Sequence, residues 1–261
     1  TVTTYTESTV NGPSAIAAGP GGDLFFTNQT GSSIGRVSLP TYTVNSTLDD
    51  ADALPGDDLC QTSAGQCTLR AAIQEANAHA GADTITFNIA GGGVHTIAPG
   101  SALPEITQPV VIDGTTQPGA SCASWPATLN VELNLTTAGP FGLALNTSSS
   151  MVRGLVLNRG TQTAIGVGGG GNTIDCNFFG TDPSGTALSG TPEGIWIYFD
   201  TAASNTITRN LFASTGLNDA VFITSDNNVV QGNYVNVTPA GAPLAVCCLS
   251  GAIRITGDNN T

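Results

Sequence analysis

The chain has 261 residues, 40% hydrophobic but only 6% aromatic, and its 19 carboxylates face six basic residues, all arginine, for a formal charge of −13. That balance excludes a surface built to neutralise phosphates, so neither nucleic acid nor an anionic bilayer is an expected partner. No run of 18 apolar residues is present, so no helical membrane span is expected either. The 33 glycines favour short strands joined by tight turns.

Residues 1–40 read as a small strand-rich segment of their own. Ala15-Ile-Ala-Ala, then Asp23-Leu-Phe-Phe-Thr and Ile34-Gly-Arg-Val, predict two or three strands around a glycine-rich turn. The phrase resembles one blade of the propeller lyases related to virginiamycin B lyase. A propeller needs about four to eight blades, so lyase activity does not carry over. The segment is expected to be a lone blade or a flap. The chain starts at Thr1 with no signal-peptide pattern, and is expected to be processed or excised from something longer.

A second unit is expected over residues 41–261. After the strand Tyr42-Thr-Val-Asn come Asp49, Asp50, Asp52, Asp57 and Asp58, carboxylates among turn residues. Calcium takes six to eight oxygens, and these five are the candidates for it, although the spacing lacks the alternation and closing Glu of an EF-hand loop. Solvated turn residues are the simpler reading. Cys60 and Cys67, separated by six residues, fit a local disulfide formed in an oxidising compartment. Cys122, Cys176, Cys247 and Cys248 stay unassigned, because six cysteines allow 15 complete pairings.

One helix is predicted at about 68–80. Thr68 suits its N-cap, and Leu69, Ala72, Ile73 and Ala76 recur at helical spacing before Gly81. It is expected to act as a lid over the first turn of a stacked β structure. Glu75 and His79, four apart, are read as an exposed pair on the helix surface.

The strands Thr84-Ile-Thr-Phe, Val94-His-Thr-Ile, Pro109-Val-Val-Ile-Asp and Leu129-Asn-Val-Glu-Leu come next, with Pro99, Pro104 and Pro118 in the connections. From Leu143 a phrase then repeats. Apolar pairs Leu143/Leu145, Ile165/Val167, Ile195/Ile197, Val221/Ile223 and Ile253/Ile255 stand 22, 30, 26 and 32 residues apart. Asn-led runs come after them, beginning at Asn172, Asn205 and Asn228, and Asn260 begins another. Residues two apart in a strand face the same way, so each pair points into one core. The pattern predicts an all-β chain, a right-handed parallel β-helix of stacked turns. Leu143, Ile165, Ile195, Val221 and Ile253 would form one column; Leu157, Phe179, Phe212 and Val235 would form another. Asn177, Asn210 and Asn233 occupy one equivalent position and are predicted to stack as an amide ladder, at a corner where Asn tolerates positive φ.

The residues Gly65-Gln-Cys-Thr-Leu-Arg-Ala-Ala-Ile-Gln-Glu-Ala-Asn, Leu103-Pro-Glu-Ile-Thr-Gln-Pro-Val-Val-Ile-Asp-Gly and Gly180-Thr-Asp-Pro-Ser-Gly-Thr resemble the CSLREA-type β-helix proteins of bacteria. The resemblance covers about residues 42–261 and implies the fold and a secreted or surface location. It implies no activity. Here Ala71 stands where that family has Glu.

Enzymes on β-helices need outward carboxylates in pairs. The outward column Arg153, Asp175, Thr208, Gln231 holds one carboxylate, and Arg209 lies nearby. Asp175, Arg153 and Arg209 are therefore the only catalytic candidates, with Arg153 and Asp175 expected to pair across adjacent turns. Phrases like those of polygalacturonases are missing. The expected function is a non-catalytic extracellular or cell-surface stalk, adhesin or filament subunit without a cofactor. It would associate with itself or with a longer parent chain through an open end. A carbohydrate-active enzyme acting on an acidic polysaccharide is the alternative.

Overall fold

The structure is a computed structural model and describes residues 12–18, 24–29, 33–37, 40–160, 163–190, 193–213, 219–244 and 253–261. It divides into two units, Thr1–Pro40 and Thr41–Thr261. In the first, Pro13–Ala18, Leu24–Asn28 and Ser33–Val37 form an antiparallel sheet in that order. The glycine-rich turn at 19–23 lies outside the described residues, as do Cys247 and Cys248.

The second unit is dominated by three parallel sheets. The first contains, in order, Thr41–Val44, Asp83–Phe87, Val110–Asp113, Met151–Arg153, Thr173–Asp175, Thr206–Thr208 and Val229–Gln231. His95–Ile97, Val131–Asn134, Leu155–Asn158, Phe178–Phe179, Leu211–Phe212 and Tyr234–Val235 make the second. Phe141–Leu145, Thr163–Val167, Glu193–Ile197, Val221–Ile223 and Ile253–Ile255 make the third. From Val110 on, the chain passes through first, second and third sheet and then returns to the first, one strand further along.

Register follows side-chain type. Leu143, Ile165, Ile195, Val221 and Ile253 are successive partners, as are Leu157, Phe179, Phe212 and Val235. Residues of all three sheets share one apolar core. Within it Phe179 and Phe212 stack with ring centroids 4.7 Å apart. Stacking like on like works because neighbouring parallel strands lie about 4.8 Å apart, so equivalent side chains meet at van der Waals distance.

The corners between first and second sheet explain the asparagines. Asn177 Oδ1 accepts from the Leu155 amide, Asn210 Oδ1 from the amide and side chain of Asn177, and Asn233 Oδ1 from those of Asn210. Each Nδ2 also donates to a main-chain carbonyl, of Val152, Ile174 and Ile207 respectively. The left-handed residue is not the asparagine, contrary to expectation, but the one before it: Cys176, Arg209 and Gly232, like Gly154 at the equivalent place before Leu155, have φ between 53° and 75°. That turn swings the next side chain inward, where its amide replaces strand pairing lost at the corner.

A second ladder, not expected as such from the sequence, stands at the entry to the first sheet. The Oδ1 atoms of Asn172, Asn205, Asn228 and Asn260 accept in turn from the main-chain amides of Ser150, Asn172, Asn205 and Asn228, and the last two oxygens also from the side chains of Asn205 and Asn228. Here too the residues before the asparagines, Gly171, Ser204, Asn227 and Asn259, are left-handed, as is Ser149 before Ser150.

The helix Leu69–Ala78 is capped by Thr68, whose hydroxyl accepts from the Ala71 amide. It packs against Thr41–Val44 and Asp83–Phe87, with Leu69, Ala72, Ile73 and Ala76 in the shared core. Arg70 forks onto both oxygens of Asp49, at 3.0 and 2.9 Å, and reaches the carbonyls of Ser101 and Ala102. The helix is thereby tied to the loop before it and to the connection after it.

Removing a middle amide should be costly. Asn210→Ala strands the Asn177 amide and the Ile174 carbonyl in a buried corner, and is expected to destabilise by about 2–5 kcal/mol. The half-buried Asn233→Ala should cost clearly less. Urea unfolding of the two variants against the parent checks the order.

Candidate functional site

On the outer face of the first sheet the expected column is longer than its sequence spacing suggests. Asp113 pairs with Arg153 in register, Arg153 with Asp175, Asp175 with Thr208 and Thr208 with Gln231. Two carboxylates therefore flank Arg153, not one. The expected Arg153–Asp175 bridge does not form. Arg153 Nη2 instead lies 2.5 Å from Asp113 Oδ2, and Arg209 forks onto both oxygens of Asp175. Arg209, left-handed at the corner just after Thr208, reaches Asp175 on the neighbouring strand and takes the place expected of Arg153.

Burial alone would raise the Asp113 carboxyl. The Arg153 guanidinium and the hydroxyl and amide of Thr115 outweigh it and hold the group below its ordinary value. The same bond raises Arg153, and Asp175 does likewise for Arg209. A carboxyl held ionised in this way is a poor general acid. Beside these pairs lies a cleft of about 300 Å³ lined by Thr115, Ser121, Arg153 and Arg209.

The wall of that cleft is the long connection 114–130. Cys122 of this connection is disulfide-bonded to Cys176 at the corner. Trp125 stacks on Tyr234 at 4.1 Å, meets Phe178 edge-on, and donates through Nε1 to the Pro239 carbonyl. Leu129, Val156, Phe178 and Leu211 complete a second apolar cluster, outside the sheet. Cys60 and Cys67 form the other described disulfide. Two disulfides are compatible with a secreted protein, and among the described residues no helix is long and apolar enough to cross a membrane.

The acidic loop before the helix is rearranged relative to expectation. Asp49 belongs to Arg70 and Asp50 is exposed. Asp52 accepts from the Leu54 and Gln61 amides, and Asp57 from that of Leu59. Glu75, expected on an exposed surface, is fully buried, and its two oxygens accept from Gly56 and Asp58. Oxygens of Asp52, Asp57 and Glu75 lie within 4.8 Å of one another. This trio could hold a cation, but the carboxylates already close the loop through main-chain amides. Burial raises the Glu75 carboxyl, and the Gly56 amide opposes it.

Beneath the helix end His79 Nδ1 lies 3.0 Å from Asp83 Oδ1, and the Asp83 side chain is fully buried. Tyr42 lies on the neighbouring strand with its hydroxyl buried and without a hydrogen-bond partner among the described residues. Its ionisation is pushed up by burial and by Asp83, Asp58, Glu75 and Asp52.

Neither a scan against protein-family models nor a search of curated proteins matched this chain.

Asp83 generates a pH dependence. Burial raises its carboxyl from 3.8 to about 6, with His79 opposing. The folded chain thus holds this proton more tightly than the unfolded one. The group costs stability above pH 6, and that cost fades as pH falls toward 4. Asp83→Asn should therefore be more stable than the parent at pH 7.5, by about 1–3 kcal/mol, with the advantage vanishing near pH 4. Melting curves across that range check both sign and window.

Proposed function

We propose that residues 41–261 form a right-handed parallel β-helix of the CSLREA type, serving as a non-catalytic extracellular stalk, adhesin or filament subunit. The cyclic order of the three sheets around one core supports the fold. The ion pairing on the first sheet carries the functional reading. Both outward carboxylates of the candidate column are taken up by arginines, Asp113 by Arg153 and Asp175 by Arg209. The column thus offers no pair of unpartnered carboxylates for acid–base work. Ile253 and Ile255 are about 40% exposed, whereas their partners Val221 and Ile223 are fully buried. This strand edge is where a second copy of the chain would stack.

The alternative, an enzyme acting on an acidic polysaccharide, draws support from the cleft holding Arg153 and Arg209. Incubating the purified protein with polygalacturonate, alginate and neutral glucans, with calcium and without, separates the two. The scaffold reading expects no new reducing ends and no unsaturated products. Reproducible cleavage that is lost in Arg209→Ala would replace it with the enzyme.

A further inference from the structure

The outer face of the third sheet carries most of the remaining aromatic residues of the described second unit. Along its outward column the partners are Ala144, Gly166, Trp196, Phe222 and Arg254. Trp196 and Phe222 are nearly parallel, with centroids 6.0 Å apart, and the Arg254 guanidinium lies 3.6 Å above the Phe222 ring. Phe141 lies across Gly166, where a Cβ would come within 2.5 Å of its ring, so glycine is what admits it. Phe141 then stacks on Tyr198 at 5.3 Å, and Tyr198 meets Phe199 edge-on at 4.6 Å. The result is one continuous strip of rings on stacked strands. It is not sealed: Phe199 is 51% exposed, and Phe141, Trp196, Tyr198 and Phe222 are each only partly buried.

Hydrogen-bonding groups border the strip on both sides. The Tyr198 hydroxyl donates to Asn146 Oδ1, and Asn146 Nδ2 to Glu105 Oε2 at 2.9 Å. On the other side Glu193 Oε2 accepts from Thr163, and Asp219 Oδ2 accepts from Arg254 Nε at 2.8 Å.

We propose that this strip binds a neutral oligosaccharide, laid along the strand Glu193–Ile197 and the two residues after it, with sugar rings on Trp196, Tyr198 and Phe199 and hydroxyls on Glu105, Asn146 and Glu193. The electron-rich faces of aromatic rings attract the polarised C–H faces of pyranose rings. Carboxylate and amide oxygens at the edge then accept from hydroxyl donors. Three carboxylates face one arginine here, on a chain of charge −13, so a uronic-acid chain is repelled. The same charge excludes nucleic acid, which would otherwise suit stacked rings. Binding requires no chemistry on the glycan and does not depend on the scaffold reading above.

Calorimetric titration of the full chain tests it, with hexamers of β-1,4-glucose, β-1,4-mannose and N-acetylglucosamine, and with oligogalacturonate as the anionic counterpart. At least one neutral hexamer is expected to bind, and both Phe199→Ala and Trp196→Leu should weaken it about tenfold or more. Oligogalacturonate should not bind. Because Phe199 is exposed, its truncation leaves the packing intact, and a melting curve confirms that. The proposal is overturned if no neutral hexamer binds, if Phe199→Ala leaves binding unchanged, or if oligogalacturonate is preferred. It is equally overturned if the face proves to join two copies, seen as a dimer that Phe199→Ala dissociates.

Discussion

A buried side-chain amide accepting from the chain one rung earlier is the interaction on which this structure depends. Strands of two or three residues cannot hold a sheet by themselves, and the corners between them leave main-chain groups without a strand partner. Asn172, Asn205, Asn228 and Asn260 serve one corner, and Asn177, Asn210 and Asn233 the other. Each oxygen takes the amide of the preceding rung and each Nδ2 donates inward, so the ladder both satisfies and registers the corner. Left-handed residues before the asparagines make this possible. For Cys176 and Arg209, which have a Cβ, that conformation costs about 1–2 kcal/mol each. The buried bonds and, for Cys176, the disulfide to Cys122 offset it.

With the interior fixed, variation moves to the outside, and each outer face is treated differently. The first sheet carries Asp–Arg pairs, Asp113 with Arg153 and Asp175 with Arg209. The outer face of the second sheet is covered by connection 114–130, seated on Phe178, Leu211 and Tyr234 through Trp125. Beside the third lies Phe199, the most exposed aromatic among the described residues of this unit. At the start of the unit, the helix and its loop are joined by carboxylates of two kinds. Asp49 meets a guanidinium, whereas Glu75 meets two main-chain amides. That difference is why charge counting alone suggests a cation site where the carboxylates mainly order the loop.

How much of this is legible in the sequence depends on distance along the chain. The apolar pairs and the asparagine phrase lie at a short, regular period, so their columns are visible from spacing alone. Asp113 escapes the Arg153 column because 40 residues, including the covering connection, separate the two, and a single insertion hides the period. The Cys122–Cys176 bond spans 54 residues and has no local signature. Glu75 reads as exposed because helical spacing marks only the face toward the core. Loop 53–61, which covers a second side, carries no periodic signal. Trp196 and Phe222 alternate with inward isoleucines and so are readable as outward. Their union with Phe141 and Tyr198 depends on Gly166 leaving room, which spacing does not reveal.

Amide hydrogen exchange, resolved by residue in the full chain, tests the ladder account most directly. If stacked amides hold the corners, the main-chain amides of Leu155, Asn172, Asn177, Asn205 and Asn210 should exchange as slowly as those of the core strands, through global unfolding alone. Their side-chain Nδ2 protons should be protected as well. Corner amides that exchange orders of magnitude faster than Val152 or Ile195 would contradict it, and would leave apolar stacking alone to hold the turns in register.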